Sequence, residues 1–158
     1  MIKRNLFATF LNTTPNGEKP TWSRLGRKVT EETVAMNPQS ITEQDITQET
    51  SETELTGYQP SFPVSQKADT DDPVFVFVND LRRKRATLDD CHTQIIQVDL
   101  YDGSADKGYK AELQDVTIAI DNYGGAAADP LSIEYTVYYD GDARTGSFNP
   151  ETKTFTAD

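Results

Sequence analysis

Cys91 and His92 are adjacent in the chain, and a thiol beside an imidazole is the pairing from which cysteine nucleophiles are built. They are also the only cysteine and the only histidine. Neighbouring residues in an extended strand point to opposite faces, so the two groups would not meet, and Cys91 reads as a buried structural residue. A lone cysteine also excludes an intrachain disulfide and any multi-cysteine zinc site. Asp99, Asp102 and Asp106 suggest a calcium loop, but the order of alternating acids, glycine and closing glutamate is absent. No glycine-rich phosphate loop, HExxH or GxSxG occurs. Paired carboxylates are so abundant that no single pair is informative, and a glycosidase would show aromatic sugar platforms and a longer chain. The chain is therefore not read as an enzyme, and no metal or cofactor is expected.

The carboxylates suggest a different role in Ile41–Tyr58, ITEQDITQETSETELTGY, which alternates like β-structure with almost nothing to bury. Side chains alternate faces with period two. In a hairpin, Glu43 and Asp45 would share one side of the first strand, and Glu52 and Glu54 one side of the second. Like charges opposed across a hairpin destabilise it by up to ~1 kcal/mol per pair, so this face has to remain in water. The other face offers Ile46, Leu55 and several Thr and Gln residues, too little for a core. Such a ribbon is more plausible beside other strands, including those of neighbouring copies, than alone.

The whole chain has 158 residues, net charge −11 and a hydrophobic fraction of 35%, with the apolar residues concentrated in the second half. That length fits one domain with a genuine core. No window approaches the ~20 apolar residues of a membrane span. Met1–Leu11 lacks a signal-peptide core, and the reading is of a soluble protein made in the cytoplasm. Residues 1–30 carry Lys3, Arg4, Lys19, Arg24, Arg27 and Lys28 against Glu18 alone. From residue 31 to 72 acids dominate, with Lys67 the single base. A basic arm followed by an acidic body can associate head to tail with copies of itself, or can be a solvated tail beside a solvated face. The acidic body argues against tight nucleic-acid binding.

The elements around the ribbon follow from pattern and punctuation. Leu6–Leu11, Trp22–Gly26 and Glu31–Met36 read as short strands, Thr13–Pro20 as a loop, and Gly57–Asp72 as irregular because of Pro60 and Pro63. Trp22 is an anchor for a core or an interface. Asp72-Pro73 opens a helix over 71–85: Asp72 caps, Pro73 suits the first turn, and Val74, Phe77, Val78 and Leu81 form one stripe. Arg82, Arg83, Lys84 and Arg85 close it at the end where cations are favoured. Three long strands follow, with inward sets Ile96, Val98, Leu100; Val116, Ile118, Ile120; and Ile133, Tyr135, Val137, Tyr139. Asp102-Gly103, Gly124-Gly125 and Asp140-Gly141 mark the turns. Phe148 and Phe155 flank a terminal hairpin or arm around Asn149-Pro150. The fold class is mainly β, two antiparallel layers with one helix covering a sheet. Residues 1–158 form a single domain: a basic N-terminal arm and loop over 1–30, then a β core over 31–158.

MNPQS at Met36–Ser40, TGYQPSFPV at Thr56–Val64 and DDPVFVFVNDLRRKRA at Asp71–Ala86 sit in that order along the chain. In this wording and in its layout the sequence resembles the major tail protein, or tail tube protein, of long-tailed bacteriophages, in the short form of phages of Gram-positive hosts. The resemblance implies a β-sandwich or β-barrel subunit that forms hexameric rings, which stack into a hollow tail tube. It also implies a tape-measure protein and a tail terminator as partners, location in the virion, and a negatively charged lumen through which DNA passes without specific binding.

On that basis Glu43, Asp45, Glu52 and Glu54 are expected to face the lumen, the competing placement being an outer or inter-ring surface. The basic arm is expected to dock on the acidic rim of the next ring through Arg24, Arg27 and Lys28, with Phe7 and Trp22 as apolar anchors. Two alternatives come from other classes. One is a single-ring tail terminator or head–tail joining protein. The other is a carbohydrate-binding β-sandwich using Tyr101, Tyr109, Tyr123, Tyr138 and Tyr139.

Overall fold

Alternating burial along β6 (His92–Ser104), β7 (Gly108–Gly124) and β8 (Ser132–Asn149) builds the centre of the molecule. A computed structural model describes residues 1–158. Its main sheet is antiparallel and seven-stranded, in the order β2 (Trp22–Leu25), β1 (Phe7–Asn12), β6, β7, β8, β5 (Ser61–Lys67), with β9 (Thr154–Ala157) paired to the far half of β8. The strands curl around two cores rather than lying flat. Adjacent residues Ile95 and Ile96 belong to different cores, so β6 is buried from both faces. One core gathers Val116, Ile118, Ile133, Tyr135 and Val137 beneath the helix. The other gathers Ile96, Val98, Ala111 and Phe148, with the Phe10 and Phe148 rings 4.8 Å apart.

Helix α1 (Pro73–Lys84) forms where the capping residues place it. The Val74 amide donates to the Asp72 carboxylate at 3.1 Å, and Arg85 ends the helix in the left-handed region. Val74, Phe75, Val78 and Leu81 are buried and Phe77 partly so. Asp72 does more than cap. The Gln66 side-chain amide, 0% exposed, donates to it and to the Arg27 carbonyl at 3.1 Å, while the Tyr135 hydroxyl donates to the Gln66 carbonyl oxygen at 3.3 Å. Asp72→Ala removes a cap worth ~1 kcal/mol and strands part of a buried amide at ~1–3 kcal/mol, partly offset because burial penalises the carboxylate itself. A loss of about 2 kcal/mol is expected, read from the urea midpoint at neutral pH.

Several sequence readings are corrected. The strands read at Leu6–Leu11 and Trp22–Gly26 are present as β1 and β2, but they belong to the main sheet and not to a free arm, β1 pairing with β6 from Phe7↔Asp99 to Leu11↔Ile95. Glu31–Met36 is not a strand. The chain runs beside the sheet edge there, meeting β5 in isolated bridges at Val29↔Gln66, just before this segment, and Ala35↔Ser61, within it. Gly57–Asp72 is not irregular, because β5 pairs with β8 along its whole length and buries Phe62, Val64 and Gln66 in alternation. Pro63 is tolerated there because β5 is the last strand of the sheet and needs no donor on its outer side. Cys91 lies in a short 3-10 turn, Leu88–Cys91, rather than in a strand.

Candidate assembly surface

The ribbon read from the sequence is present as β3 (Pro38–Glu43) and β4 (Glu52–Tyr58), a two-stranded sheet that pairs with no other strand of its subunit. All of β3 is exposed, and β4 is exposed except for half-buried Gly57. The register sets Glu43 opposite Glu52 and Ile41 opposite Glu54 on one face. Thr42 and Thr53 oppose each other on the other face, their hydroxyls 2.9 Å apart, followed by Ser40 and Leu55. The two faces therefore differ sharply: one is acidic, the other uncharged and Thr-rich.

β3 ends at Glu43, so Asp45 belongs to the connecting turn and not to the strand. The turn is tied by Gln48, whose carbonyl oxygen accepts from the Asp45 backbone amide at 2.9 Å and whose amide donates to Glu52 at 3.1 Å. This folding-back carries Asp45 to the strand acids. Ile41, Glu43, Asp45, Gln48, Glu52 and Glu54 line one shallow concavity of about 150 Å³. None of these carboxylates has a basic partner within its own subunit. The same ribbon exposes Ile41, Ile46, Leu55 and Tyr58, with Met36 just before it.

The residues proposed from the sequence as inter-ring contacts separate into used and free. Trp22 is 5% exposed and packed in the second core with Phe10 and Ile96, so it has no surface to offer a neighbour. Arg27 pairs with Asp69 at 2.8 Å. Phe7 is half-buried under the Arg4 guanidinium, 5.6 Å from the ring centroid. Arg24, which donates to the Asn5 carbonyl at 3.3 Å, and Lys28 are exposed without an acidic partner. Arg4 is exposed but tied to its own subunit, donating to the carbonyls of Phe7 and Glu32, both at 2.9 Å.

Glu32 was not singled out by sequence, where it is one acid among many. In the fold its carboxylate accepts from the Thr9 hydroxyl at 2.7 Å and lies 4.0 Å from Arg4. Burial raises its pKa, against the opposing pull of Thr9 and Arg4. A carboxyl raised on folding supports the native state fully below its unfolded pKa and loses that support as pH rises through the folded value. Glu32→Gln keeps an acceptor for Thr9 without the charge. It is expected to be more stable than the parent at pH 7 and equal to it below the unfolded glutamate value of about 4.3. Paired urea titrations across that window check it; a less stable variant at pH 7 would show that the Arg4 attraction outweighs desolvation.

The thiol–imidazole pair is not assembled. Cys91 is buried, donates to the Leu88 carbonyl at 3.1 Å and has its pKa raised by that burial, whereas His92 is exposed. No group of three or more His, Cys, Asp or Glu side chains is placed to hold a metal ion.

The fold defines a class: a curled, mainly antiparallel β-structure with one flanking helix and a free acidic hairpin. The solved structures it is similar to have the same fold. One is a chain of the tail of an empty GTA particle refined helically with C6 symmetry, at TM-score 0.61 and 14% identity, covering 99% of this chain and 100% of that one. Another is the cap that terminates the tube of the anti-feeding prophage, at TM-score 0.54 and 10% identity, covering 93% and 91%. The chain matches no protein-family model and no curated protein sequence.

Proposed function

We propose that this chain is the structural subunit of a phage-type tail tube, located in the virion after synthesis in the host cytoplasm. Copies associate into stacked hexameric rings, with Glu43, Asp45, Glu52 and Glu54 facing the bore and a tape-measure protein and tail terminator as partners. One observation carries the reading: the acidic ribbon stands free of its own subunit, although a two-stranded hairpin is marginal alone in water. Strands from identical copies complete it. The likeness in fold to a C6-symmetric tail supports rings of six.

The charge suits a conduit. Duplex DNA carries one negative charge per ~1.7 Å of axis, so a basic bore would hold it, while a carboxylate-lined bore lets it slide. The free basic residues Arg24 and Lys28, with the half-buried Phe7, are what remains of the inter-ring contact. A second reading, a single terminating ring, is favoured by the likeness to a tube cap. Negative-stain microscopy of the purified protein separates them. Tubes are expected; isolated rings would favour the terminator, and monomers at every concentration would overturn both.

A further inference from the structure

At the C-terminal end of α1, a cavity of about 750 Å³ opens between the helix and the end of β7. Its floor is apolar, from the half-buried Ile120 and Ala86 over the buried Leu81, and its rim is Arg82, Arg83 and Arg85. Arg82 is set in place: its guanidinium lies 3.8 Å from the centre of the Tyr123 ring, and its Nε donates to Asn79 Oδ1 at 2.8 Å. An arginine stacked and braced in this way keeps its remaining N–H groups free for an incoming carboxylate. None of these rim arginines is in an ion pair. The neighbouring Asp121 is already engaged, accepting from the Thr136 hydroxyl at 2.7 Å.

The same chain carries the complement. Ile46, at the tip of the β3–β4 hairpin, is fully exposed and so packs on nothing in its own subunit. Glu49, three residues on in the same turn, is also exposed, and no Lys or Arg occurs anywhere between Val29 and Gln66. Neither Ile46 nor Glu49 lines the acidic concavity. One hairpin turn therefore carries an exposed apolar knob and an exposed carboxylate, in the subunit that also presents an apolar-floored, arginine-rimmed hole.

We propose that the hairpin tip of one copy seats in the helix-end cavity of the next, Ile46 against Ile120 and Ala86, and Glu49 on Arg82 and Arg83. Because knob and hole lie on different elements of one chain, the contact is heterologous and propagates from copy to copy. It rests on the self-assembly reading above and adds to it the surface that receives the hairpin. Strand pairing gives the ribbon its partners; the arginine rim selects the register in which they meet.

Two experiments on the full chain test it. An Ile46→Cys, Thr87→Cys double variant, oxidised after assembly, should run as a covalent ladder on denaturing gels, with each single variant remaining monomeric there. Glu49→Arg and Arg83→Glu should each lower the assembled fraction at least about tenfold, as expected for a contact worth roughly 1.4 kcal/mol, and their combination should restore it. Normal tubes with no ladder, and swaps that assemble like the parent, would overturn this contact and leave self-assembly standing. Failure of the unmodified protein to assemble at all would remove the proposed function and this contact together.

Discussion

Replacing Ser40–Thr56 with a short Gly/Ser linker is expected to leave a folded, stable monomer that no longer assembles. The excised residues pair only with one another and bury nothing of the main cores. The cut ends are adjacent, since Gln39 pairs with Gly57 and Pro38 with Tyr58, so a few residues span the gap. Shortening a loop by half recovers about 0.6 kcal/mol of closure entropy, comparable to what a marginal hairpin contributes. The urea midpoint should therefore barely move, while sedimentation velocity should shift from large particles to monomer. Loss of cooperative unfolding would show that the ribbon supports its own subunit's core. Persistent tubes would show that other surfaces drive assembly.

The legible parts of this fold were those whose determinants are close in sequence. Asp72-Pro73 and the stripe behind it specify α1 within about three turns, and the alternation of Val116, Ile118 and Ile120 specifies the inner face of β7. The hairpin was legible for the opposite reason: a β pattern without an apolar face announces a missing partner. What escaped depended on distance. Both N-terminal strands were legible, but Phe7 pairs with Asp99 and Ala8 with Val98, a pairing no local window contains, so their place in the main sheet was not, and the basic residues around them suggested an arm. β5 was hidden by Pro60 and Pro63, which break central strands but not an outermost one. The Arg82–Tyr123 stack joins a helix end to a strand end and exists only once both are placed. The surface proposed for assembly was therefore half visible: its acids could be read, and the cavity proposed to receive its tip could not.

Reversing the acidic face tests the conduit directly. In the variant Glu43→Lys, Asp45→Lys, Glu52→Lys, Glu54→Lys the ribbon should keep its register, because four positive charges repel one another as the four negative ones did and the one side-chain tie lost among them is Gln48 to Glu52. Tubes should still form. They should also hold duplex DNA, which the parent tubes should not. Such retention should weaken steeply with salt, by roughly 10³–10⁵ between 50 and 200 mM if 6–10 phosphates are neutralised. Retention alone does not locate the face, since lysines on an outer wall would bind DNA as well. Nuclease protection does: DNA held in the bore survives digestion, and DNA on the wall is degraded. The corresponding Gln variant separates charge from shape, because it removes the repulsion without creating an attraction and should retain little. In particles carrying the lysine variant, DNA release should slow relative to the parent. Digestion of all retained DNA, or release at the parental rate, would move the acidic face from the bore to the outside of the tube.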